Sequence, residues 1–341
     1  MKLFKSLLVA PATLGLLAPV AATANEVTIN DFNAAEEIAV TNSRVDGLEA
    51  RFNNLEAGSF SETTTASFGS TFYVGSIDEG ADDGVTTFTY DFALDLSTSF
   101  TGEDSLDVAI IGGNADATAV DDAMGGDGTD DDMLVLDGIS YTFPLGGFTV
   151  IAGDGVGVDD LNTGACSYSA FTDTLSNCGT PSIGGSADSA VAASYDFGNG
   201  FTAAGGVGFG TESTGVLSDE DASTIGLEAA YTADTYGVSV AYTDDEATTY
   251  WTINAMLAPE GFPSISVGYE TDDSDADAIF AGLTFDEVGP GSVSLGMAST
   301  ATASTDLYQY ELSYSYPLND GMTITPGVFI AETSGEDDTG F

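Results

Sequence analysis

An all-β fold, a transmembrane antiparallel up-and-down β-barrel of about sixteen strands, is predicted by three observations. The first is period. In Tyr308, Tyr310, Leu312, Tyr314 and Tyr316 every second residue is apolar or aromatic, while Gln309, Glu311, Ser313 and Ser315 between them are polar or small. That alternation marks a strand with one oily and one wet face. The second is rhythm, since acidic, mostly longer interruptions alternate with compact Gly, Pro and Asn turns. The third is the aromatic residues that flank those compact turns, as in the girdles of a barrel wall.

The elements follow in order. Residues 1–24 read as an export signal, with Lys2 and Lys5 ahead of an apolar run from Leu7 to Ala18 and a small-residue cleavage site at Ala22-Thr23-Ala24. Residues 25–37 are a short acidic linker. In residues 38–57, Ile38, Val45, Leu48, Phe52 and Leu55 fall at heptad a and d positions, with Arg44 and Arg51 one heptad apart. Either a short coiled coil within an oligomer or a lone amphipathic helix plugging the barrel end satisfies that spacing.

Residues 60–341 carry the barrel. The longer interruptions are Asp78–Gly84, Asn114–Asp132, Val158–Ser189, Thr211–Ala222, Asp244–Ala247, Asp272–Asp275, Ser299–Thr305 and Glu332–Asp338. Between them lie tight reversals such as Gly198-Asn199-Gly200 and Asn319-Asp320-Gly321. Phe143, Phe148, Phe197, Phe201, Tyr231, Tyr236, Phe285 and Tyr316 beside the tight turns make one girdle; Tyr242, Tyr250, Trp251, Tyr269 and Tyr308 make the other. About fifteen strand-like runs precede Thr339-Gly340-Phe341, which only begins a sixteenth. Closure needs an even number, so either the closing strand is cut short or an earlier strand is miscounted. A soluble β-sandwich shares the period of two, but its loops need not alternate long and short in step with its turns.

Charge and cysteine usage narrow the function. The chain carries 4 Lys+Arg against 55 Asp+Glu, a net charge of −51, and no His. From Phe52 to Phe341 there is no basic residue, which excludes nucleic acid as a partner because nothing neutralises phosphate. Without His, a Ser-His or Cys-His nucleophile pair cannot be built, so an enzyme is not expected. Cys166 and Cys178, in an exported chain, read as one disulfide closing a loop.

Met1-Lys2-Leu3-Phe4, Leu7-Leu8-Val9-Ala10-Pro11-Ala12, Leu14-Gly15-Leu16-Leu17-Ala18-Pro19, Arg44-Val45-Asp46-Gly47-Leu48-Glu49-Ala50-Arg51, Leu55-Glu56-Ala57, Phe60-Ser61 and Thr63-Thr64-Thr65 resemble the outer-membrane porins of marine cyanobacteria. These belong to the carbohydrate-selective porin family, some members being labelled iron-uptake porins. The resemblance implies a homotrimeric sixteen-stranded barrel in the cell outer membrane, surrounded by lipid and passing small solutes, carbohydrate or iron among them, passively. That family usually carries an S-layer-homology domain gripping the cell wall. Glu26–Thr41 alone occupies its place here, so wall binding is not expected.

Alternation also assigns a water-facing side. Asp91, Asp95, Asp107, Glu228, Glu270 and Glu311 are out of phase with their apolar neighbours and are the candidate pore-lining acids. On a lipid-facing side each would be costly. Rings of acid without counter-charge select cations. Asp159, Asp160 and Asp173 share the longest loop with the cysteines; that loop either folds inward as a constriction or stays outside. No cofactor is expected, save loop-bound Ca or Mg at Asp127, Asp130, Asp131 and Asp132, where Gly125-Gly126-Asp127-Gly128-Thr129-Asp130 resembles one calcium-binding nonapeptide. The competing reading is an exported, non-enzymatic β-rich surface protein of adhesin type, which heat-modifiable gel migration distinguishes from a barrel.

Overall fold

The computed structural model describes residues 64–78, 84–115, 118–126, 128, 133–180, 187–210, 223–274, 276–301, 306–333 and 336–341. The leader, the linker, the heptad segment and Asp127, Asp130, Asp131 and Asp132 lie outside the described residues.

Seventeen strand segments form one antiparallel sheet. They are β1 (Thr64–Gly75), β2 (Thr87–Thr98), β3 (Ser105–Gly113), β4 (Val135–Leu145), β5 (Phe148–Asp154), β6 (Ser189–Gly198), β7 (Phe201–Phe209), β8 (Ser223–Ala233), β9 (Tyr236–Asp244), β10 (Thr249–Leu257), β11 (Ser264–Asp272), β12 (Asp277–Val288), β13 (Gly291–Ala301), β14 (Asp306–Asn319), β15 (Met322–Ile324), β16 (Gly327–Thr333) and β17 (Glu336–Gly340). Each pairs with its sequence neighbours up to β14, and β15 and β16 both pair with β14. They are one strand interrupted at Thr325-Pro326, because proline has no N–H to give the ladder. Sixteen strands result.

The chain nearly closes on itself. Ile77, just past β1, bridges Gly340 of β17, and Ser76 and Phe341 exchange two backbone hydrogen bonds of 3.2 Å. Here the sequence expectation is corrected. Glu332–Asp338 is not all loop: β16 runs to Thr333 and β17 starts at Glu336, so most of the run pairs as strand and supplies a short sixteenth of five residues. Acidic composition masked a strand, since Asp and Glu are depleted in strands without being excluded from them.

The tight turns have local causes. Asn199 and Gly200 both take positive φ, 56° and 85°, as a two-residue hairpin turn matched to strand twist requires.

The core is inverted. On the outward faces Ile225, Leu227, Ile253, Leu295 and Leu312 are 43–54% exposed, whereas the inward Thr224, Glu228, Thr252, Ser294 and Ser313 are only 2–6% exposed. A soluble sandwich buries the first set and wets the second; a barrel in lipid does the reverse. At the tight-turn end, rings stack side by side, with Phe148–Tyr195 at 5.0 Å, Tyr195–Phe197 at 4.8 Å and Phe201–Tyr231 at 4.6 Å. Tyr242 and Trp251, 5.0 Å apart, mark the other end. Tyr250 does not join them. It sits opposite Thr243 and shares the inward face of Thr252, so nearness to the loop end misassigned it.

Candidate functional site

The loop between β5 and β6 turns into the barrel and lies on its inner wall. Its first stretch is apolar, with Val156 and Val158 buried against Ile151, Ala187 and Ala190. Its last stretch is a 3-10 segment, Asp173–Cys178, whose Leu175 and Cys178 pack on the inward Phe280 and Ala298. Cys166 and Cys178 are disulfide-bonded with a Cα–Cα distance of 5.9 Å, so the spacing read as a loop closure is one.

Between these apolar ends the wall holds the loop through acids and hydroxyls. Glu228 on β8 accepts the backbone N–H of Thr163 (2.7 Å) and of Gly164 (2.9 Å). Ser266 on β11 accepts the N–H of Ser167 at 3.0 Å. Glu311 on β14 accepts four bonds: from the Tyr168 hydroxyl (2.8 Å), the Phe171 N–H (2.8 Å), the Thr172 N–H (2.9 Å) and the Thr172 hydroxyl (2.5 Å). Such bonds to an ionised acceptor are the stronger kind. Burial and the neighbouring Glu311 push the Tyr168 hydroxyl well above its ordinary pKa, which keeps it a donor.

A second loop enters beside the first. Helix α1 (Ala119–Ala123) starts at a Thr118 cap, closed by the reciprocal Asp121 side chain, and its Val120 is buried against Ile77 and Phe329. Phe171 of the constriction loop packs on the same cluster. Together the two loops occupy part of the lumen beside the β1–β17 closure. A cavity of about 760 Å³ beside that closure is lined by Phe72, Met124, Phe171 and Ile324 together with the hydroxyls of Ser70, Thr71 and Tyr73.

The six candidate pore acids all lie on the inward face, but they divide. Glu228 and Glu311 are spent on the loop, and Glu270, 6% exposed, accepts from Thr252 at 3.1 Å. Asp91 accepts the Tyr73 hydroxyl at 2.6 Å and the Thr71 N–H at 2.9 Å. Asp95 accepts the Ser67 hydroxyl at 3.3 Å and Asp107 that of Ser105, and with Asp137 and Asp154 they border a cavity of about 110 Å³ on the β2–β5 side. The last two were not among the sequence candidates. Asp137 is the extra residue where the β3–β4 register slips, between Ala109 opposite Gly138 and Ile110 opposite Leu136, so counting by alternation passes over it. Of the loop acids, Asp160 and Asp173 are exposed and Asp159 is half-buried. Although Asp160 reaches the surface, partial desolvation by the packed loop and the adjacent Asp159 raise its pKa.

Sixteen antiparallel strands with tight turns at one end and long loops at the other, two of them folded into the lumen, decide the architecture. The fold is that of the bacterial porins. A mutant of the Rh. blastica porin superposes with a TM-score of 0.57, covering 81% of this chain and 97% of that one at 13% identity. OprB of Pseudomonas putida, in a high-pH structure, gives a TM-score of 0.59 over 82% of this chain and 92% of its own, again at 13% identity. A porin of Comamonas acidovorans described as anion-selective gives 0.55 at 14% identity, over 81% and 97% of the two chains. No protein-family model matches the sequence, and no curated protein matches it. This porin fold therefore rests on geometry, reached by a sequence far from those of its structural neighbours.

Proposed function

We propose that the protein is a passive pore of the outer membrane, a non-enzymatic channel for small solutes with a preference for cations, assembled as a homotrimer after its leader is cleaved. The observation that carries the cation preference is the absence of any basic residue from Phe52 to Phe341, in a barrel whose inward face and constriction loop bear carboxylates. The fold itself leaves the sign open, since one neighbour is described as anion-selective. Side chains must set it, and here every formal charge beyond Arg51 is negative. An uncompensated negative potential concentrates cations and repels anions. Inorganic cations are the proposed solutes.

Planar-bilayer reversal potentials across a potassium chloride gradient test this. Cation preference is expected, weakening at about 1 M salt where the Debye length contracts to roughly 3 Å. Anion preference, or membranes that stay silent, would defeat it.

A further inference from the structure

Glu228 and Glu311 qualify as pore charges by alternation, yet their surroundings give them other work. Glu311 is 2% exposed, and both its oxygens are occupied by donors from one stretch of the loop, Tyr168 to Thr172. We infer that Glu311, seconded by Glu228, is a positioning residue that sets the aperture by latching the constriction loop to the wall, and is not a charge that selects the passing ion. The inference rests on the reading of the barrel as a pore.

Two independent features make the latch specific. The first is chemical. Four donors converge on two oxygens, a set that a carboxylate satisfies and an amide does not, because one end of glutamine would present N–H groups to incoming N–H and O–H donors. The second is steric. Gly296 on β13 is the cross-strand partner of Glu311, and a Cβ there would come within 2.3 Å of the Tyr168 hydroxyl oxygen. Gly327 on β16 likewise lies under the Phe171 ring, at 2.6 Å from where its Cβ would be. The wall is therefore cut back where the loop must approach and charged where the loop must be held. Displacing the loop would leave a carboxylate without the donors that offset its burial, and it would strand buried N–H groups as well.

The latch can be broken from three sides. Glu311→Gln removes the charge, Gly296→Ala pushes Tyr168 off its partner without touching any charge, and Thr172→Val removes from the loop side the hydroxyl that donates to Glu311 and accepts from Gln309. Heat-modifiable migration reports folding, exclusion of graded polyethylene glycols and single-channel conductance report aperture, and reversal potential reports ion choice. All three variants are expected to conduct more and to admit larger polymers, at a reversal potential close to the parent's. Asp95→Asn, by contrast, moves the reversal potential. A folded Glu311→Gln that shifts the reversal potential while excluding the same polymers makes Glu311 an ordinary pore charge and overturns the inference; so do Gly296→Ala and Thr172→Val variants of unchanged or narrower aperture. If Glu311→Gln does not fold, the loop variant decides. A parent without cation preference removes the selectivity reading and leaves the aperture comparison standing.

Discussion

Asp104 closes the turn between β2 and β3 by collecting donors. The Tyr141 hydroxyl reaches its Oδ2 at 2.5 Å, while the Thr101 N–H at 2.7 Å, the Thr101 and Ser99 hydroxyls at 2.8 Å and the Phe100 N–H at 3.0 Å all reach Oδ1. Every one of these bonds favours the ionised acid, the Tyr141 bond most, and together they hold its carboxyl well below the usual carboxylate range. Its stabilising contribution is present above the unfolded aspartate value of about 3.9 and is lost as pH falls from there through the lower folded value. Asp104→Asn is expected to unfold at lower temperature than the parent at neutral pH, with the gap closing in strong acid, as followed by heat-modifiable migration. Asp160 has the opposite sign. Its pKa is raised, so its contribution is present below the unfolded value and is lost as pH rises through the folded one. Its negative charge also disappears at milder acidity than that of an ordinary aspartate. Cation preference is therefore expected to start falling at higher pH in the parent than in Asp160→Asn, a difference that reversal potentials across a pH series record.

At the scale of elements, the constriction loop is held by three kinds of contact, and each has its own signature in the chain. The disulfide was legible from two cysteines downstream of an expected export signal. The apolar seat was not, because Ile151 and Phe280 are the oily residues of strands whose inward positions are otherwise small or polar, and only the arriving loop explains them. The acid anchors were visible as inward carboxylates but not as anchors, since their partners lie 64 to 143 residues away in sequence. Replacing Cys166 and Cys178 together by Ser is expected to free the middle of the loop while the barrel stays folded. Closure of a loop of this length stabilises by up to about 3 kcal/mol. Limited proteolysis should then cut within residues 158–189 of the variant and spare the parent, with heat-modifiable migration unchanged in both.

For the molecule as a whole, the inverted core dictates which changes it tolerates. Ile253 stands at the middle of β10 with its side chain outward and 46% exposed. Ile253→Arg is expected to cost about 2–4 kcal/mol of barrel stability, as for a cation at the bilayer midplane, measured by denaturant unfolding in lipid vesicles. The same substitution in a soluble barrel would be close to neutral, so the measurement also tests the membrane assignment. Strand count, in turn, shows where composition misleads. Glu336, Asp337 and Asp338 look like loop, yet they form a ladder with β16, which pairs backbone groups that would otherwise lie on an open edge.

The alternation of oily and wet residues, the grading of turns from tight to long, and the one-sided charge are local properties, and they determined the barrel, its approximate strand number and the sign of its interior before any contact was known. Which carboxylates meet the passing solute, and which are consumed in holding a loop, was decided only by tertiary structure. A side chain's parity is set by its two neighbours, whereas its partners are set by whatever distant segment the closed wall brings against it.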